Sequence, residues 1–130
     1  MTLDTSAYIA LAQGVESIVD LIKGVHDLIL PLPAIAELRY GFAKGSKLEH
    51  NEKILQRFLA QSQVEIAIPT LKTTQYYADL QLFCVQHGRV LSQNDIWIAS
   101  LAKETNDKLV SFDKDFKIFA EILNDKLIIL

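Results

Sequence analysis

Residues 1–12 read Met-Thr-Leu-Asp-Thr-Ser-Ala-Tyr-Ile-Ala-Leu-Ala, and the change of character at Asp4 decides how the chain is read. A short apolar start runs into an acid followed by two hydroxyls. These residue types accept the free N–H groups of a helix start, so a helix is expected through about Leu11. A strand feeding a capped helix is half of a βα unit, and the same grammar recurs along the chain. A second amphipathic stretch covers roughly Gly14 to Lys23. The apolar run from Asp27 to Pro31 reads as a buried strand. Pro33 then suits a first helical residue, and Ile35, Leu38 and Phe42 keep a three-to-four spacing until Lys44-Gly45. A further helix spans about Lys47 to Gln61. Val64 to Ile68 reads as a strand, and Pro69-Thr70 opens a long helix ending near Gly88. Ser92-Gln93-Asn94-Asp95 caps a helix to about Thr105, Asn106-Asp107 turns into the strand Lys108 to Ser111, and a last strand runs from Lys126 to Leu130.

Helices alternating with short apolar strands predict an α/β architecture, a parallel sheet covered on both faces, with its ligand crevice outside the carboxyl ends of the strands. No repeat or linker interrupts the 130 residues, which read as one domain, residues 1–130. That length buries roughly two-thirds of the unfolded surface without metal or disulfide staples. The single Cys84 cannot close an internal disulfide, which fits a reducing, intracellular compartment. The longest apolar run, Leu28 to Ala36, contains Pro31 and Pro33 and falls short of the ~18 residues a membrane helix needs. No targeting segment is expected ahead of Asp4, so Met1 reads as the mature start. With 13 Lys+Arg against 16 Asp+Glu, the net charge of −3 does not suit a protein that holds nucleic acid by bulk charge alone.

The plan places four carboxylates at one edge of the sheet. Asp4 ends the first strand, Glu37 lies early in the helix after the second, Asp95 lies in the first turn of another helix, and Asp113 follows the fourth strand. Two carboxylates ~4 Å apart repel by about 4 kcal/mol at an effective dielectric near ~20, more than the ~1 kcal/mol a helix cap contributes. Converging them destabilises the fold unless a cation joins. Oxygen-only ligands select hard ions, so Mg²⁺ is expected, with Mn²⁺ as a substitute. His26, His50 and His87 lack paired ligand spacing, which excludes a zinc cage. A metal held by carboxylates in an open crevice suits phosphoryl chemistry through an activated water.

Each acid also has a local alternative. Asp4 caps a helix, Glu37 pairs with Arg39 or Lys44, Asp95 completes a capping box with Ser92, and Asp113-Lys114-Asp115 forms a polar turn. Trp97, Ile98 and the Tyr76-Tyr77 pair read as packing residues. Between Glu37 and Arg57, five basic residues (Arg39, Lys44, Lys47, Lys53, Arg57) face three acidic ones (Glu37, Glu49, Glu52), an excess that a solvated helix face explains.

Four blocks carry a family resemblance: L-D-T-S at Leu3 to Ser6, A-E-L-R-Y-G at Ala36 to Gly41, N-D-I-W-I-A at Asn94 to Ala99, and L-V-S-F-D-K-D-F at Leu109 to Phe116. In this order and spacing the chain resembles the PIN-domain ribonucleases, and within them the VapC toxin branch of type II toxin–antitoxin systems. The resemblance implies a PIN-like three-layer α/β/α fold with a central mostly parallel sheet. It implies that Asp4, Glu37, Asp95 and Asp113 form an acidic Mg²⁺ site that is also catalytic, with Asp115 a fifth candidate acid. Thr5, Ser6, Asn94 and Ser111 look like residues that orient those carboxylates, and Arg39 is a candidate phosphate contact. The implied activity is a cytoplasmic endoribonuclease leaving a 5′-phosphate and a 3′-hydroxyl, with Asp113 or Asp115 as proton acceptor. The implied partners are an RNA substrate, a cognate antitoxin protein that fills the active-site groove, and a second copy in a homodimer. A PIN nuclease of RNA maturation without an antitoxin and a non-catalytic PIN binding module are the alternatives. A phospho-acceptor receiver domain is disfavoured, because Asp4 stands alone and Ile68-Pro69-Thr70 offers no Asp. Only Met1-Thr2-Leu3 precede the first acid, which leaves a first strand shorter than is usual in the family. If the acids only repel one another, Asp4→Asn leaves the fold intact or slightly more stable.

Overall fold

The structure, a computed structural model, describes residues 1–130. Five strands, β1 (Thr2–Leu3), β2 (Leu28–Pro31), β3 (Val64–Ala67), β4 (Leu109–Ser111) and β5 (Leu127–Ile129), form one sheet in the order β3-β2-β1-β4-β5. Every pairing is parallel. Around it lie α1 (Thr5–Ala12), α2 (Glu16–Ile22), α3 (Leu32–Lys44), α4 (Leu48–Leu59), α5 (Thr73–Gln86), α6 (Gln93–Glu104) and α7 (Ala120–Leu123).

The chain lays down β1, β2 and β3 in one direction, then crosses back to place β4 and β5 on the other side of β1. Connections leaving β1 and β4 therefore diverge, and a crevice opens between their carboxyl ends, the usual ligand position in such sheets. The brevity of β1 is compensated by its central position. Thr2 and Leu3 are fully buried, and the segment is tied on both sides by Thr2 N–H to Lys108 O at 2.7 Å, Ile29 N–H to Met1 O at 2.8 Å and Asp4 N–H to Val110 O at 3.1 Å.

Leu3, Leu30, Leu109 and Val110 supply the sheet's share of the core, met by Ile18, Leu55, Ile96 and Ile98 from the helices. The rings of Tyr77 and Trp97 pack 4.4 Å apart where α5 meets α6, so these aromatics are packing residues, as is the buried Ile98. No helix is long and apolar enough to cross a membrane.

Three boundaries differ from the sequence expectation. Pro33 is the second residue of α3 rather than the first, because the helix already begins at Leu32 with Pro31 as its cap. The helix expected from Pro69-Thr70 begins at Thr73. The intervening residues form a turn in which Thr70 N–H donates to Thr73 Oγ1 at 2.9 Å. The residues between Asp113 and β5, which carry no periodic pattern in the sequence, form a 3₁₀ helix (Lys114–Phe119), α7 and a second 3₁₀ turn (Asn124–Lys126). Phe116 and Phe119 are wholly buried there, each worth roughly 1.5–3 kcal/mol of burial, and they fasten the segment that Asp113 caps.

Candidate active site

Asp4 is the centre of the crevice. It is 3% exposed, and its extended backbone ends β1 while its side chain caps α1 through the Ala7 N–H at 2.7 Å. The capping role and the cluster role expected of it as alternatives are thus combined in one residue. The Ser6 hydroxyl donates to Oδ1 at 2.7 Å, with Oδ2 at 2.9 Å, and the Ser111 hydroxyl donates to Oδ2 at 2.5 Å. The Ser111 bond crosses from the end of β1 to β4. Ser6 Oγ accepts the Phe112 N–H at 2.9 Å and Ser111 Oγ accepts the Asp113 N–H at 2.8 Å, so both hydroxyls join Asp4 to the chain that carries Asp113. Burial raises the Asp4 pKa, the hydrogen bonds from Ser111, Ala7 and Ser6 pull it back, and the Asp113 charge pushes it up again.

The other acids stand around Asp4. Glu37, half-buried on α3, accepts the Thr5 hydroxyl at 2.7 Å, so Thr5 and Ser6 each orient a carboxylate. Asp95 lies in the first turn of α6, where Ser92 caps the helix by accepting the Asp95 N–H at 3.1 Å. Its pKa rises from 3.8 to about 6. Burial is the main cause, the Ser92 hydroxyl opposes it, and the charges of Glu37, Asp113 and Asp4 add to it. Asp95 thus lies within electrostatic reach of the other three acids, although the four do not close around a single point.

Asp113 is half-buried, accepts the Asp115 N–H at 2.9 Å and caps the following 3₁₀ helix. Asp115 is exposed and turned toward Arg89, whose guanidinium is 3.7 Å away. Asn94 sits beside Asp95, half-buried, without a hydrogen bond to any of the acids. Arg39 does not pair with Glu37. It grips Glu52 on α4 at 2.6 Å through Nη2 and 3.1 Å through Nε, while Lys44 lies 4.5 Å above the Tyr40 ring.

The chain's ion pairs fall on Asp20, Glu52, Asp107 and Asp115, and none of Asp4, Glu37, Asp95 or Asp113 has a cationic partner. No three His, Cys, Asp or Glu side chains are gathered closely enough to cage one ion together. Like charge explains the spread: at ~4 Å each pair repels by about 4 kcal/mol even at an effective dielectric of ~20. An uncompensated, oxygen-only donor set suits a hard divalent cation and offers nothing to a soft one.

Two neighbouring features had no sequence signal. A groove of about 420 Å³ opens beside Glu37 and Thr5 between α1, α3 and α4, with Tyr8, Phe42 and Ile54 on its walls and Lys47, His50 and Asn51 at its rim. The buried Tyr8 hydroxyl on that wall has no hydrogen-bond partner. Arg89 lies at the other rim, in the connection that leads into α6.

Residues 1–122 match the PIN domain family. Ribonuclease VapC2 of Rickettsia felis (strain ATCC VR-1525 / URRWXCal2) is 40% identical over 84 residues, which is 64% of this chain and 61% of that protein. The chain thus matches somewhat less than two-thirds of that relative's length. Among solved structures, VapBC2 from Rickettsia felis bound to a DNA fragment from its promoter superposes with a TM-score of 0.82 at 28% identity, covering 99% of this chain and 96% of that one. VapBC-1 from nontypeable Haemophilus influenzae shares the fold with a TM-score of 0.79 at 22% identity, covering 92% of each chain.

Proposed function

This chain belongs to the PIN domain family, and from that premise we propose that it is a Mg²⁺-dependent endoribonuclease, the toxin of a type II toxin–antitoxin system. The observation that carries the reading is the set of four carboxylates without a cationic partner; burial first, and then the charges of Glu37, Asp113 and Asp4, push the Asp95 pKa up to about 6. Asp4, Glu37, Asp95 and Asp113 are the residues that would hold Mg²⁺, or Mn²⁺ in its place. When bound, such an ion neutralises phosphodiester charge and lowers the pKa of water.

The chain's own groups do the positioning. Ser6 and Ser111 fix both oxygens of Asp4, and Thr5 fixes Glu37, so these carboxylates present set lone pairs to the crevice. Asp113, less buried than Asp4, is the acid placed to accept a proton, because Asp115 points to solvent and Arg89. Arg39 contacts phosphate only after its fork leaves Glu52. The substrate is RNA, cleaved to a 5′-phosphate and a 3′-hydroxyl.

The partner reading draws on the same resemblance. A cognate antitoxin would seat a segment in the groove beside Glu37, where unpaired carboxylates favour a basic side chain, and two copies of this chain would form a homodimer. A cytoplasmic location follows from an RNA target and a protein inhibitor made alongside it.

The decisive experiment incubates purified protein with total cellular RNA and Mg²⁺ or Mn²⁺, beside EDTA and Asp95→Asn controls. Discrete fragments that require both metal and Asp95 are expected, and mapping their ends identifies the target. Intact RNA with a protein that still binds Mg²⁺ would reduce the chain to a binding module.

A further inference from the structure

A ribonuclease whose site holds four unpaired acids and whose net charge is −3 must still draw a polyanion to that edge. Arg39 is closed onto Glu52 by its two-pronged pair, and Lys44 is laid over Tyr40. Arg89 is different. Its guanidinium is 3.7 Å from Asp115, beyond hydrogen-bond reach, and the two side chains are 54% and 66% exposed.

The backbone beneath it is fixed. Gly88 takes the left-handed conformation, φ 65°, that closes the end of α5. The Gly88 N–H reaches Val85 O at 3.1 Å and the Arg89 N–H reaches back to Cys84 O at 2.9 Å. Three residues later Ser92 caps the turn that carries Asp95. On the other side, the Asp115 N–H is bound to the Asp113 carboxylate at 2.9 Å. A rigid base and a loosely held fork thus stand beside Asp115, whose own N–H is bound to Asp113, and three residues ahead of the cap of the Asp95 helix.

We propose that Arg89 is an RNA-phosphate contact that delivers the substrate backbone to the carboxylate site, with Asp115 as its resting counter-ion. Approaching phosphate exchanges one loosely held carboxylate for a two-pronged partner, at little loss because an exposed ion pair contributes about 0–1 kcal/mol. Asp115 also keeps the fork from folding onto Asp113 and quenching the site. This inference rests on the ribonuclease reading.

The test measures binding of a fluorescein-labelled, mixed-sequence single-stranded RNA oligonucleotide by anisotropy. It uses the full chain in EDTA, so that nothing is cleaved, across a KCl series. Arg89→Ala is expected to weaken binding about three- to tenfold and to make the log–log salt slope shallower by about 0.7, the value of one single-strand phosphate contact. Arg89→Lys restores the slope, and the melting temperature stays that of the parent. Asp115→Asn tightens binding about two- to threefold, a gain that shrinks in the Arg89→Ala background. Wild-type affinity and slope in Arg89→Ala overturn the contact. So does a loss that tracks a lowered melting temperature and is not rescued by Lys. If the parent cleaves total RNA in Mg²⁺ while Arg89→Ala binds and cleaves equally well, the contact alone falls. A parent that neither binds nor cleaves RNA removes the ribonuclease reading and this inference with it.

Discussion

Replacing Asp95 by Asn is expected to stabilise the metal-free protein while abolishing its chemistry. The carboxyl of Asp95 sits at a pKa of about 6 in the fold against 3.8 ordinarily, so folding takes up a proton between those values. Its contribution to stability is complete below about pH 3.8 and is lost as pH rises through 6. Two pH units at 1.36 kcal/mol each set an upper bound of ~3 kcal/mol, which partial exposure of the side chain reduces to about 1.5 kcal/mol. With an unfolding entropy of ~2.1 cal/mol/K per residue over 130 residues, that corresponds to a melting temperature about 5 °C higher. The amide keeps the Asp95 N–H bond to Ser92, so the helix cap survives the change. Thermal unfolding followed by circular dichroism in EDTA at pH 7.5 reads the gain, and the same comparison near pH 4 should show it almost gone. An Asp95→Asn protein that melts at or below the parent temperature at pH 7.5 would refute the reasoning that burial, with the neighbouring acids, penalises the ionised Asp95.

Millimolar Mg²⁺ is expected to raise the parent's melting temperature by mass action, and calorimetry below pH 6 should show weaker binding with proton release, because Asp95 must ionise to ligate. At Asp4, Asn retains an acceptor for the Ala7 N–H and is expected within ~1 kcal/mol of the parent by denaturant melts. Ala loses the cap and strands two hydroxyls, costing about 2–3 kcal/mol. Burial leaves the Asp4 pKa raised on balance, which favours the neutral amide, but Asn gives up one of the two oxygens that accept the Ser6 and Ser111 hydroxyls, so a smaller gain than at Asp95 is expected. Ser111→Ala removes the hydroxyl that joins Asp4 to the Asp113 N–H, and is expected to cost about 1–3 kcal/mol and to slow RNA cleavage about 10–100-fold in a single-turnover assay.

Much of this was legible in the chain because the strands are short, apolar and separated by capped helices. Asp4, Ser92 and Gly45 mark helix ends by local chemistry, and local chemistry survives folding. The four acids could be placed at one sheet edge since each follows a strand or opens a helix. Ser6 and Ser111, picked from the family blocks, both donate to Asp4; the Ser6 bond is local, and the Ser111 bond spans 107 residues that no local pattern encodes. What escaped was non-local or non-periodic. The 3₁₀ segment after Asp113 is held by Phe116 and Phe119, whose burial is a tertiary fact, and the turn at Thr70 to Thr73 overrode the helix signal of Pro69. The partner of Arg39 lies on α4, so its ion pair was invisible from α3 alone.

The two-residue strand at the middle of the sheet also sets a schedule. Thr2, Leu3 and Asp4 are made long before the groups that complete their surroundings: β1 gains its second neighbour, and Asp4 its Ser111 hydroxyl, only when residues 109–111 have been made. At about 5–20 residues added per second, a gap of 107 residues is a delay of roughly 5–20 s. Through that interval the growing chain carries Asp4, Glu37 and later Asp95 without the wall that joins them. A chain still lacking residues 109–111 therefore holds Asp4 from one side of β1 only, and a carboxylate edge that depends on both sides is assembled late.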